Sequence, residues 1–112
     1  MAKKPRARAQ RREAQRELTK LHAARERLFA LEAGGAPERP LIVVSAAVIE
    51  SQAESTPCPR CSGKLDLVEH VALTLPRPDA ASPSRLREVR LRCRQCGALR
   101  SLWFRINDIG PN

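Results

Sequence analysis

Two hydrophobic periods run along this chain, one helical and one of two residues. From about Ala9 to Leu31, Ala14, Leu18, Leu21, Ala24, Leu28, Phe29 and Leu31 fall on one broad face at helical spacing, interrupted by Arg25. The stretch is rich in good helix formers and holds no Gly or Pro. Glu13 with Arg16 and Glu17 with Lys20 form i,i+3 pairs on its solvated side, and Gly34-Gly35-Ala36-Pro37 ends it. Ahead of it, residues 1–8, with Lys3, Lys4, Arg6 and Arg8, read as a disordered basic tip.

The unit from Pro40 to Glu54 is short and apolar. Leu41 to Val44 predicts a buried strand, and Ser45 stands as the N-cap of a short helix, Ala46 to about Ala53. Val48 and Ile49 are expected to pack on the strands of the C-terminal half. The longest apolar run, Leu41 to Ile49, is far below the roughly 20 residues that span a bilayer.

Beyond Pro57 the period becomes two. Leu65, Leu67, Val71, Leu73 and Leu75 share one parity, broken by Glu69; Lys64, Asp66, His70 and Thr74 share the other. That predicts a strand with His70 on its polar side, as a surface histidine. Pro76 to Pro83 reads as a hairpin loop. In the next strand, Leu86 to Arg92, Val89 and Leu91 point one way with Cys93, and Arg90 and Arg92 the other with Arg94. In the last, Ala98 to Ile106, Leu102, Phe104 and Ile106 oppose Leu99, Ser101, Trp103 and Arg105.

The four cysteines bracket these strands as Cys58-Pro59-Arg60-Cys61 and Cys93-Arg94-Gln95-Cys96. Two Cys-x-x-Cys turns brought together set four thiolates at the corners of a tetrahedron, the closed arrangement of structural Zn²⁺. Disulfides are the other reading. The spacing and the absence of a secretion signal favour metal. Arg60, Lys64, Arg94 and Arg100 lie in or near the turns, where cations offset the charge of about −2 on a zinc tetrathiolate. Pro59 fixes φ in the first turn, and Gly97 follows Cys96 where a tight turn needs positive φ.

These two motifs, the second continuing to Gly97, resemble the zinc-ribbon family over roughly residues 57 to 107. The resemblance implies one zinc held by Cys58, Cys61, Cys93 and Cys96 between two knuckles on antiparallel strands. Rubredoxins use similar knuckles for iron but are typically acidic and aromatic-rich. The first knuckle departs from the family pattern, reading Cys61-Ser62-Gly63 where glycine usually follows the cysteine directly. Either Ser62 takes the turn with modest strain, or the glycine role moves to Gly63. The expected architecture is a small α+β chain: an antiparallel zinc-ribbon sheet of about three strands with an N-terminal basic amphipathic helix. Its parts are the basic tail and helix (1–36), a strand and short-helix connector (37–56), the ribbon (57–107) and a C-terminal tail (108–112).

Composition adds two points. Phe29, Trp103 and Phe104 are the only Phe, Trp or Tyr residues, so the ribbon has little to bury and needs its metal as a staple. The net charge is +9, with eleven Lys and Arg against five Asp and Glu in residues 1–40. That excess suggests an anionic partner, most often nucleic acid. Arg90, Arg92, Arg94, Trp103 and Arg105 are the candidate surface: guanidiniums for phosphates, and an indole to stack a base. The same pattern also fits a tryptophan that packs and arginines that merely solvate the sheet. Two function classes stay open. One is a nucleic-acid- or ribonucleoprotein-binding accessory factor. The other is a zinc-stabilised protein-interaction adaptor, docking through the helix or the Leu41–Ile49 unit. No Ser-His-Asp set, carboxylate pair, phosphate loop or open metal position points to an enzyme. A cytoplasmic location is the default expectation.

Overall fold

The computed structural model describes residues 4–76 and 84–107. Helix α1 (Lys4–Leu31) leads to strand β1 (Leu41–Val43). A 3-10 turn (Ala46–Val48) comes next, then helix α2 (Ile49–Glu54) and strands β2 (Leu65–Leu75), β3 (Ser84–Cys93) and β4 (Leu99–Ile106). The strands form one open sheet in the order β1-β4-β3-β2. The β2–β3 and β3–β4 pairs are antiparallel, and β1 lies parallel to β4.

The sheet therefore has four strands, not about three. The expected Leu41–Val44 strand joins it through Leu41–Val43, with Leu41 beside Phe104 and Val43 beside Ile106. An uncovered β4 would leave a row of N–H and C=O groups unpaired. Gly34 and Val43 extend the pairing at the two ends of that row: Trp103 N–H donates to Gly34 O at 2.8 Å, and Asn107 N–H to Val43 O at 2.7 Å. Gly34 is buried at φ +88°, and a Cβ there would lie 2.8 Å from Leu41 Cδ1.

α2 packs on one face of the sheet. Ile49 and Ala53 are fully buried against Val89, Leu91, Leu102 and Phe104, joined by Leu65 and two of the cysteines. Each large apolar side chain removed from water here contributes about 1.5–3 kcal/mol. Ser45 has the extended backbone of a cap but makes no capping bond through its side chain. Of Val48 and Ile49, both expected to pack on the strands, Ile49 does and Val48 stays exposed.

A bulge in β2 overturns the expected face of that strand. Leu67 pairs with Leu91 and Glu69 with the adjacent Arg90, so Val68 is the extra residue and is exposed. The parity switches there. Leu65 and Leu67 face α2 before the bulge, and His70 faces it afterwards, opposite Val89. Val71 and Leu73 pass to the other side. His70 is thus not a surface residue: its side chain is 15% exposed, with Nδ1 2.9 Å from Glu50 Oε2 and Nε2 3.4 Å from Arg87 Nη1. Since Arg87 can only donate, this geometry fits the tautomer with its proton on Nδ1, donating to Glu50.

α1 begins at Lys4, several residues ahead of the expected start and within the segment read as disordered. Its apolar face is not covered by the fold. Leu18, Leu21, Leu28 and Leu31 are exposed, and only Phe29 packs against the core. Most of the expected loop Pro76–Pro83 and the tail 108–112 lie outside the described residues. No helix among the described residues is long and apolar enough to cross a membrane.

Candidate metal centre

The two Cys-x-x-Cys turns share one hydrogen-bond pattern. Cys58 N–H donates to Gly63 O at 2.9 Å and Ser62 N–H to Cys58 O at 2.7 Å; Cys93 N–H donates to Ala98 O at 2.9 Å and Gly97 N–H to Cys93 O at 3.0 Å. Each turn then requires positive φ at the residue after its second cysteine. Gly97 supplies it at φ 75°, without strain, and Ser62 takes φ 64° as the one non-glycine residue of that kind among those described. Gly63 meets a separate need. A Cβ on it would lie 2.9 Å from Cys93 Sγ and 2.8 Å from Gln95 Cβ, because the first knuckle runs against the second. Of the two alternatives for this departure, the first is realised: Ser62 takes the positive φ, and the glycine role does not move to Gly63, which instead gives space. Arg94 N–H to Lys64 O, at 2.8 Å, ties the knuckles together.

This closure gathers the four sulfurs within 4.8 Å of one another. Cys58 Sγ lies 3.8 Å from Cys96 Sγ, and Cys61 Sγ 3.3 Å from Cys93 Sγ. Four thiolates at about 2.3 Å from a central ion stand about 3.8 Å apart, so the cluster fits a tetrahedrally held metal ion with slight adjustment. Cys58 and Cys93 are buried, Cys61 is half-buried and Cys96 is exposed. The N–H groups of Cys96 and Gln95 point at Cys93 Sγ, at 3.4 and 3.3 Å. They hold the Cys93 thiol down at about 6. Cys61 is pushed up to about 12, chiefly because it shares a proton with Cys93. Without a cation the cluster keeps part of its protons; a metal ion takes their place.

A second layer links this centre to α1. Arg25 Nη1 donates to Arg60 O at 2.9 Å, seating the helix on the first knuckle. Both terminal nitrogens of Arg100 donate to the Glu26 carboxylate, and Arg60 Nη2 reaches the same group at 3.3 Å. Arg100 holds the Glu26 carboxyl below its ordinary value, with Arg60 assisting. The Arg100 side chain is 7% exposed, its guanidinium carbon lies 5.8 Å from the centre of the Phe29 ring, and its charged form is favoured by Glu26 first and also by the Cys58 sulfur. Arg100 and Arg60 were legible as cations near the cysteines. Glu26 was not: between Arg25 and Arg27 on a charged helix, nothing in the sequence sets it apart.

The five residues proposed for an anionic surface fare differently. Strand register puts Arg90, Arg92, Trp103 and Arg105 on the sheet face opposite α2. Arg90 is held by Glu69 at 2.9 Å and by Glu88 at 3.3 Å, and Arg94 is held in a fork by Asp66 at 2.7 and 3.1 Å. Arg92 and Arg105 are exposed and make no ion pair among the described residues. Trp103 is half-buried, across the strand pair from Glu88, a buried carboxylate that accepts a hydrogen bond from Ser101 Oγ at 2.6 Å.

No family model, curated protein or solved structure matches the chain.

Proposed function

We propose that this chain is a structural-zinc ribbon protein that binds nucleic acid as an accessory factor, not an enzyme. A closed tetrahedral set of four thiolates is a usual structural zinc site, and it leaves no coordination position for a substrate or an activated water. Its role is then to staple a sheet that buries few large side chains.

The observation that carries the nucleic-acid reading is one sheet face on which Trp103 stands with Arg92 and Arg105, two arginines free of acidic partners among the described residues. An indole and unpaired guanidiniums on an open sheet suit single-stranded nucleic acid. The test is anisotropy titration of a single-stranded oligonucleotide against wild type and a Trp103→Ala, Arg92→Glu variant, with zinc content checked by native mass spectrometry. Loss of binding with zinc retained supports the reading; unchanged binding overturns this surface.

A protein adaptor is the second reading. It is favoured by the exposure of Ile42 (51%), Val44 (79%) and Val48 (38%) within the Leu41–Ile49 unit. Binding through that apolar patch would respond little to salt, whereas binding through phosphates weakens steeply.

A further inference from the structure

We infer that the free part of α1 is a second nucleic-acid surface, separate from the sheet face, and that its partner is duplex DNA. Arg8, Arg12, Arg16 and Lys20 succeed one another at four-residue steps, so they form a single ridge along the helix. At about 1.5 Å per residue the ridge is about 18 Å long. Every residue from Arg6 to Leu21 is exposed, and nothing in the fold covers the ridge. Among the described residues, Arg8, Arg12 and Arg16 make no ion pair; Lys20 has one, with Glu17 at 3.7 Å, and both of those side chains are largely in water.

The ridge is costly to the isolated helix. Like charges at i,i+4 repel. Cations in the N-terminal half also oppose the helix dipole, and the first turn carries no acid to offset it. An anionic partner removes both penalties. Duplex DNA presents one charge per about 1.7 Å of axis with both strands counted, so about ten phosphates fall along the length of the ridge, more than its four cations can engage. A helix about 10–12 Å across, side chains included, matches the B-form major groove of about 12 Å, whereas the narrow, deep major groove of A-form RNA does not admit it. Single strands are gripped by stacking, and no Phe, Trp or Tyr occurs between Arg6 and Leu28. Arg25 and Glu26 bond the C-terminal part of the same helix to the cysteine-bearing end of the fold, beyond the ridge.

The test uses the intact zinc-loaded protein and a B-form duplex of about 20 base pairs, roughly two helical turns, titrated by anisotropy from about 50 to about 200 mM salt. Four phosphate contacts predict a slope of log K against log salt near about −3.6, about −0.9 for each contact. Arg12→Gln with Arg16→Gln should reduce the slope by about 1.8. Removing like charges favours the helix, so the variant should keep its circular dichroism and its zinc. An unchanged slope for duplex DNA in the variant overturns the inference, as does a variant that loses more affinity for duplex RNA or for a single strand of equal length than for duplex DNA. Either result leaves the sheet-face reading standing. Failure of wild type to bind any nucleic acid at low salt overturns both.

Discussion

Arg100 and Glu26 meet guanidinium to carboxylate across 74 residues of chain, one on the central sheet and the other on α1. The pair is the principal polar tie between the helix and the cysteine-bearing end of the fold. Arg100 is almost wholly buried while Glu26 is 30% exposed, so the two ends of the bond are not equivalent.

Breaking the pair from the acidic side leaves a buried cation beside the cysteines. Glu26→Gln is expected to destabilise the protein by about 2 kcal/mol, less than the roughly 3–5 kcal/mol of a fully buried pair because Glu26 is partly in water. Thermal unfolding would measure the loss, and spin-label distances between α1 and the sheet would broaden. The pH dependence has a definite sign. Arg100 holds the Glu26 carboxyl below its ordinary range in the folded protein, so its contribution is complete above that range and fades as pH falls through the lowered value. Glu26→Gln should flatten that acid limb.

Removing the metal should cost more. Structural zinc contributes on the order of 10–16 kcal/mol of apparent binding energy in small zinc-finger peptides, comparable with the whole stability of a small domain. Chelation, or Cys58→Ser, should abolish the strand signal in circular dichroism together with the bound ion in native mass spectrometry. A chelated protein that keeps its strands would show that the apolar core suffices alone.

Metal affinity should fall on acidification, because the ion displaces protons. With Cys61 at about 12 and Cys93 at about 6 in the metal-free cluster, loading at neutral pH liberates thiol protons, and lower pH opposes it. Competition with a chromophoric chelator on the two sides of neutrality would read the difference. Equal affinities in mild acid and mild base would mean that the thiols are not the ligands.

The first knuckle offers a pair of opposed substitutions. Ser62→Gly should stabilise the protein by about 1 kcal/mol by relieving positive φ, with metal stoichiometry unchanged. Gly63→Ala should weaken metal binding, since its Cβ would press on Cys93 Sγ and on Gln95. Melting temperature and chelator competition separate the two effects.

The two cysteine turns and the three strands beside them were legible because each rests on local chemistry: cysteine spacing, turn residues and alternation. What escaped depends on distant pairing. The Val68 bulge is invisible to a count of alternate positions, since the parity of Leu65, Leu67 and Val71 runs straight through it. Only the step from Leu67–Leu91 to Glu69–Arg90 reveals it, and it turns His70 inward. Likewise, Arg90 and Arg94 look free along the chain until register sets Glu69 and Asp66 within their reach. The fourth strand was missed as part of the sheet because Leu41–Val43 says strand without saying which edge it completes. Glu26 became recognisable only once Arg100 stood opposite.

A helix that leaves the fold for most of its length changes how the molecule moves through water. The radius of gyration is 19.0 Å and the longest axis 77 Å, whereas a compact chain of this length has a radius of about 13 Å. In size-exclusion chromatography a single copy should elute well ahead of its 12.5 kDa mass. Elution volume alone would mistake it for a dimer, so its stoichiometry has to be taken from light scattering or sedimentation equilibrium.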